Sequence, residues 1–539
     1  MQYIKKRIDK IKLINSSIVL LFPVLMVGIM GPLEVYAATP TDFRVSMWTV
    51  FIAFGQICFV GYIAGLILLV ALPEKISILF RRFIFIMSLV AYVQYILLNH
   101  DLSDKDGNAI NWGGRNATIW FNLMVWIFLF IISIVILARL NQHWYAISNC
   151  ISACLSLLMM VTIVYLLIVT PKGSNNAYRI SAEEQFTLAK HENVIIIVLD
   201  SYGNRQLQAA CKEYPYLLDK MEDFTYYNNL DSHYDRTYPC MTAMITNYAY
   251  NFDYLDPKEY TTKAWTSNEA NAFFDVLHEN NWQFNIYAVN DGYPYGNIEC
   301  AQDKINNFVY KEGKLRWKRI LVRFGRTSIF KFAPYILKPY FEEITYNFKD
   351  TNEFENDFDD CVPHLKRVLS ETGLSVNREV ENRISILHTF GTHDAVSTDE
   401  MKLDQDFLNL YIEKLKQIDK YDDSTIIITA DHGRLNSIVG YDPQPILFIK
   451  RKGEHHSQML VNDTPISELD FQATILELVN IEHASFGYSI YDWEGNKSRK
   501  RTYYVREDKN KYNGYTYYTN VNELLECLGG EPNEKVEFK

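Results

Sequence analysis

The sequence predicts a chain in two parts: five apolar helices that cross a membrane, then an α/β domain with a largely parallel central sheet and a small C-terminal antiparallel sheet. Three observations predict it. Apolar residues crowd into roughly the first third of the 539 residues, in five separate stretches. Beyond residue 190, short β-branched runs alternate with helical stretches, the pattern of a parallel α/β sheet. Two of those runs end in a carboxylate and a third leads into a His-rich loop.

The apolar stretches lie near 13–32, 46–72, 77–98, 118–138 and 145–169, giving a transmembrane domain over 1–170. Thr118 to Ala138 carries no charge and is long enough to cross a hydrocarbon core of ~30 Å. Arg81 and Arg82 cut into the third stretch, which makes it the least regular. With the N-terminus inside, the inner segments carry Lys5, Lys6, Arg7, Lys10, Lys12, Lys75, Arg81, Arg82 and Arg139, and the outer ones only Arg44, Lys105 and Arg115. Basic residues favour the cytoplasmic side, so a multi-pass cell-membrane protein is expected, with everything after Thr170 outside the cytoplasm. Lys5 to Ala37 also resembles a signal peptide ending in Val35-Tyr36-Ala37; cleavage there leaves four spans and the same outward placement.

Residues 171–190 are polar, contain Gly173-Ser174-Asn175-Asn176 and read as a linker to an extracytoplasmic domain over 191–539. Val194 to Leu199 is a strand buried on both faces, ending at Asp200. Further strands are expected at 284–289, 384–388 and 445–449, with a helix at 403–418. Ser424 to Thr429 is a second buried run, ending in Asp431-His432-Gly433. The tail after Gly495 alternates Tyr with polar residues and predicts the small antiparallel sheet.

A net charge of −11 argues against a nucleic-acid partner, whose phosphates need a basic surface. The eight cysteines include no CxxC pair, so neither a zinc knuckle nor a full disulfide framework is indicated. Lys311 to Phe341 interleaves nine cations with aromatic residues. Two readings stand for it: a segment on the bilayer surface contacting anionic headgroups, or a solvated helix pair packed on the core.

Open α/β sheets place ligands at the carboxyl ends of their strands, where Asp200 and Asp431 fall. Carboxylate oxygen and imidazole nitrogen together suit a borderline divalent metal such as Zn or Mn. Between the two acids lies Asp235-Arg236-Thr237-Tyr238-Pro239, followed by an apolar helical run. Thr237 is either an exposed nucleophile at a helix start, where backbone N–H groups favour a phosphate, or an N-cap.

Taken together, residues 191–480 resemble the alkaline phosphatase/sulfatase superfamily, and the membrane-plus-catalytic layout resembles lipoteichoic acid synthases and phosphoethanolamine transferases. The resemblance rests on Asp200 ending the first strand, Thr237 with Thr246-Asn247, His388-Thr389-Phe390-Gly391-Thr392-His393, and Asp431-His432-Gly433, in the family's order. It implies an alkaline phosphatase-like sheet and one divalent metal, Mn or Zn, held by Asp200, Thr237, Asp431 and His432. Metal coordination lowers the pKa of a Thr hydroxyl and makes it a nucleophile near neutral pH. His393 is a catalytic candidate that holds the substrate phosphate, protonates a leaving oxygen or binds a second metal; its alternative is a structural loop residue. His388 reads as buried and structural. Arg236 and Arg434 adjoin site residues and are candidates to bind phosphate, with surface placement the default for Arg434. A late His often completes the site in this superfamily; His455 and His456 both qualify, His456 being taken as the substrate-binding candidate, with a solvated loop the equal alternative.

The sequence also departs from the superfamily. The Cys-x-Pro-x-Arg segment of ordinary sulfatases is absent around Cys240, Asp200 is followed by Ser201-Tyr202 rather than a second acid, and position 389 is Thr where two-metal phosphodiesterases place Asp. Asn247 stands where Gly is usual. The expected activity is transfer of a phosphorylated headgroup, of the phosphoglycerol or phosphoethanolamine type, from a membrane phospholipid to a cell-surface glycan or lipid through a covalent Thr237 intermediate. The alternatives are a sulfatase-like or phosphodiesterase hydrolase and a non-catalytic membrane receptor or scaffold.

Overall fold

A computed structural model of the chain describes residues 2–40, 43–99, 102, 110–140, 143–249, 257–289, 295, 298–354, 357–433, 435–436, 438–508 and 511–528. It divides into two units, Met1–Ala177 with Lys311–Glu355, and Tyr178–Tyr310 with Asn356–Lys539.

In the first unit, α1 (Gln2–Pro23) continues through a π-helical stretch, Val24–Met30, into α2 (Gly31–Ala38). Pro23 lacks an N–H and cannot complete the regular ladder, and the widened turn starts directly after it. Four helices follow: α3 (Met47–Ala71), α4 (Glu74–Leu97), α5 (Asn116–Arg139) and α6 (Trp144–Val169). Five helices are long and apolar enough to cross a membrane, spanning Lys10–Ala38, α3, α4, α5 and α6. The charges in the third are paired: Arg81 is buried with Nη2 2.7 Å from Glu74 Oε1, and Arg82 lies over the Trp144 ring.

Of the two expectations for the basic aromatic segment, the solvated helix pair is not what forms. The segment's helix, Trp317–Phe332, packs on the membrane helices through Ile320, Phe324 and Phe332. Ser328 Oγ donates to the Val27 carbonyl at 2.6 Å, and Lys331 pairs with Glu34 at 3.1 Å. Its guanidinium groups are neutralised within the segment: Arg323 pairs with Glu343 and Asp350, and Arg326 with Glu343. Composition alone counts the cations; it does not reveal that acids some 20 residues downstream cover them.

The second unit is built on a seven-stranded sheet. In chain order its strands are β1 (Glu192–Leu199), β2 (Thr225–Tyr227), β3 (Trp282–Tyr287), β4 (Asn382–Thr389), β5 (Ser424–Thr429), β6 (Leu447–Lys450) and β7 (Leu460–Asn462). Their spatial order is β7-β2-β6-β5-β1-β4-β3. β3, β4, β1 and β5 are mutually parallel; β6 runs antiparallel to both β5 and β2. The C-terminal hairpin is β8 (Arg501–Asp508) with β9 (Lys511–Tyr517), antiparallel as expected.

Alternation along the central strands explains their unbroken hydrophobicity. Ile195, Ile197, Ile426 and Ile428 face a helix over Asp399–Gln417, packing on Phe407, Leu408 and Leu415. Val194, Ile196 and Ile427 face the opposite layer, packing on Met241, Met244 and Ile475. No disulfide links any two of the eight cysteines, all of which are among the described residues.

Ile196 is fully buried in the middle of β1. Ile196→Ala is expected to cost about 2–5 kcal/mol through lost contacts and a residual cavity. A fall in the apparent melting midpoint of the detergent-solubilised protein, compared with Ile336→Ala at an exposed position, checks this.

Candidate active site

The register of the central strands brings the two carboxylates together. Thr429 of β5 pairs with Val198 of β1, so both strands end at the same level. The chain after β1 turns sharply at Ser201, whose φ of 61° is unusual for a residue other than glycine. That turn aims the Ser201 N–H at Asp431 Oδ1, 2.8 Å away, while the Ser201 hydroxyl donates to Asp200 Oδ1 at 2.8 Å. Asp431 is fully buried, and its second oxygen, Oδ2, has no hydrogen-bond partner.

β4 supplies a third group, His388. Its imidazole is buried as expected, and it lies beside the two carboxylates. Nδ1 lies 3.2 Å from the Tyr295 hydroxyl; Nε2 has no hydrogen-bond partner and lies 3.8 Å from Asp200 Oδ2. Ligand atoms of Asp200, His388 and Asp431 all lie within 4.8 Å of one another. Burial pushes the Asp200 carboxyl up, and the imidazoles of His388, His432 and His393 more than reverse this, leaving it below the usual value. Asp431 Oδ2, a buried acceptor without a partner beside a second carboxylate, fits a cation: an oxygen left dry and unpaired is costly unless something positive joins it.

His432 and Thr237 complete the arrangement. His432 Nδ1 lies 2.9 Å from the Gly433 carbonyl, so this nitrogen carries the proton and Nε2 presents its lone pair. Nε2 is 3.4 Å from Asp431 Oδ2 and 3.3 Å from Thr237 Oγ1. A second-nitrogen bond to a carbonyl is how metal-ligating imidazoles are commonly oriented. Gly433 is required because a Cβ there would sit 1.9 Å from the Asp442 carbonyl oxygen. Thr237 is the first residue of a helix, Thr237–Thr246, with Arg236 extended at the N-cap. Asn247 closes that helix in the left-handed conformation (φ 52°), which Asn tolerates, so the missing glycine does not disturb it.

His393 lies in the loop after β4, and its charge acts on Asp200. Thr392 N–H and Oγ1 both donate to the Asp200 carbonyl, fastening the loop, and His393 Nδ1 is held by Asp394 at 2.9 Å. Gly391 allows the close approach: its φ is +48°, and a Cβ would meet Asp200 N at 2.6 Å. Arg236 is partly exposed, 3.9 Å from Asp235. His456 is not brought to this cluster. Because β6 runs antiparallel to β5, the segment after it returns to the amino ends of the parallel strands. There His456 pairs with Glu454 at 2.7 Å and His455 reaches Asp422, two residues before β5. Spacing along the chain carries no sign of that reversal. Arg434 lies outside the described residues.

The sequence reading also passed over Glu468. It is fully buried, and neither carboxylate oxygen has a hydrogen-bond partner. Burial, and then the charges of Asp431 and Asp231, push its carboxyl well above the usual value. It lines a small apolar cavity of about 50 Å³ beside Thr429, with room for water.

With this geometry in place, the fold can be set beside known proteins. The chain is similar to solved structures of the alkaline phosphatase superfamily. One is a superfamily protein from Vibrio parahaemolyticus, 14% identical, covering 65% of this chain and 81% of that one with a TM-score of 0.35. Another is the lipoteichoic acid synthase LtaP from Listeria monocytogenes, 13% identical, covering 64% and 87% with a TM-score of 0.36. A third is the integral membrane lipooligosaccharide phosphoethanolamine transferase A (EptA) from Neisseria meningitidis, 12% identical, covering 88% and 96% with a TM-score of 0.32. No family model and no curated protein matches the chain.

Two outcomes are expected. Gly391→Val forces the His393 loop away from the Asp200 strand end, and loss of Mn or Zn binding by isothermal titration, with the fold retained by circular dichroism, checks it. For Glu468, a raised folded-state pKa means that the native protein binds more protons than the unfolded chain above the ordinary carboxyl range, so stability falls as pH rises from there. Glu468→Gln removes that penalty. Its melting midpoint is expected to fall less steeply than the parent's as pH rises above the ordinary carboxyl range.

Proposed function

We propose that the second unit is the catalytic part of a metal-dependent transferase that moves a phosphorylated headgroup, phosphoglycerol or phosphoethanolamine, from a membrane phospholipid to a cell-surface glycan or lipid. The observation that carries this reading is Thr237 Oγ1 at a helix start, 3.3 Å from His432 Nε2, which is itself 3.4 Å from the partnerless oxygen of Asp431. Asp200, Asp431, His432 and Thr237 would hold one divalent ion, Mn or Zn, with His388 as a further ligand. Such an ion acidifies a hydroxyl and neutralises charge building on a phosphoryl group.

In the first half-reaction Thr237 Oγ1, already deprotonated with its proton lost to solvent, attacks phosphorus. The Oγ1–P bond forms as the bond from phosphorus to the diacylglycerol oxygen breaks, and His393 gives that oxygen its proton. In the second half-reaction the acceptor hydroxyl attacks phosphorus, its proton passes to His393 and the Oγ1–P bond breaks. The positive end of the Thr237–Thr246 helix would face the phosphoryl oxygens, and Arg236 would add positive charge at the open side. The five spans restrict the search for a lipid donor to the bilayer surface, and the excess of basic residues in the inner loops supports an outward catalytic unit.

The test is turnover of a labelled phospholipid by the full chain in mixed vesicles with Mn or Zn, with and without a glycan or lipid acceptor. Thr237→Ala is expected to lower transfer by on the order of 10³-fold or more while metal binding persists, and chelation abolishes activity in the parent. His388→Ala and Asp431→Asn are expected to lose bound metal, measured by elemental analysis. Equal headgroup release with or without an acceptor would favour a hydrolase. Full activity of Thr237→Ala would overturn the proposal.

A further inference from the structure

The segment that interrupts the second unit in sequence and folds with the membrane helices has a lipid-facing side. The Trp317–Phe332 helix buries Ile320, Phe324, Ser328 and Phe332 against the spans. Val322 and Ile329 lie on its other side, seven residues apart and each 39% exposed. The chain beyond continues the apolar surface with exposed Ile336, Leu337 and Tyr340.

The contacts set its depth. All of them fall towards the end of the bundle where the first span finishes at Ala38 and α5 begins at Asn116. Ser328 bonds to Val27, eleven residues before Ala38 and so about 16 Å along the helix from that end. The Tyr335 N–H bonds to Asn122 Oδ1 at 3.0 Å, six residues into α5 and about 9 Å from its start. The first span has 29 residues, about 43 Å, against a hydrocarbon core of ~30 Å. Even if its end projects several ångströms, the contacts fall at or below the hydrocarbon boundary. At that level on α5, Trp120, Phe121 and Met124 are exposed as well.

We propose that Trp317–Tyr340 is an in-plane membrane element whose Val322, Ile329, Leu337 and Tyr340 side chains sit among the lipids of one leaflet. The charges agree with the upper acyl and glycerol region rather than with captured anionic headgroups. Arg323 and Arg326 already pair with Glu343 and Asp350, which lowers the cost of holding guanidinium groups there and leaves them no need of a lipid phosphate. The placement is independent of the chemistry at Thr237.

The full chain, reconstituted in phosphatidylcholine vesicles, tests this through a bimane label on Val322→Cys and on Ile329→Cys, with the signal of the native cysteines subtracted using the parent protein. Phe128→Cys, exposed in mid-α5, and Glu371→Cys, on the surface of the second unit, are the references. Labels at 322 and 329 are expected to be quenched about threefold more by a nitroxide on a shallow acyl carbon than by aqueous iodide, with Phe128→Cys preferring a deep nitroxide. Preference for iodide at 322 and 329, as at 371, overturns the proposal. Protection from both quenchers, as a second protein copy covering the face would give, also overturns it.

Discussion

The hydrogen bond from the Ser201 N–H to Asp431 Oδ1 is the constraint on which the site depends. It ties the ends of two adjacent parallel strands, fixes one oxygen of Asp431 and leaves the other aimed at Asp200 and His388. Two ionised carboxylates about 5 Å apart repel by about 3 kcal/mol at an effective dielectric constant of 20. A divalent cation between them would reverse this. The left-handed turn at Ser201 is a local cost accepted to obtain the geometry, and strain of this kind concentrates at functional sites.

Around that bond, the second unit is arranged to hold Thr237 still. The segment leading into its helix is braced by the C-terminal hairpin. Arg501 donates to the Asn229 carbonyl at 2.8 Å, Tyr517 to Asp231 at 2.9 Å, and the Arg506 N–H to Asp235 at 3.2 Å. The hairpin therefore acts on the site through residues 229–236 without contributing a candidate ligand. On the other side, Thr392 clamps the His393 loop to the Asp200 carbonyl.

The parts legible in the sequence were those carried by strong periodicity or composition: the five spans, the buried strands around Ile196 and Ile427, and the tyrosine-rich hairpin. Asp200, Asp431, His432 and Thr237 were legible as candidates because each falls at an element boundary. Four features were not. β2 and β7 have three residues each, too few to show a period. The reversal of β6, which carries His456 away, is a matter of topology that local pattern does not encode. His388 and Glu468 read as ordinary core positions, because a side chain's missing partner is visible only once its neighbours are placed. The acids that neutralise Arg323 and Arg326 were hidden for the same reason.

The most direct test of the account is peptide mass analysis of residue 237 in protein purified from membranes, or incubated with mixed phospholipids and Mn or Zn. The account predicts a phosphorylated headgroup on Thr237, whose mass identifies the transferred group, and none on the Asp431→Asn variant. An unmodified Thr237 in protein actively turning over phospholipid would contradict it.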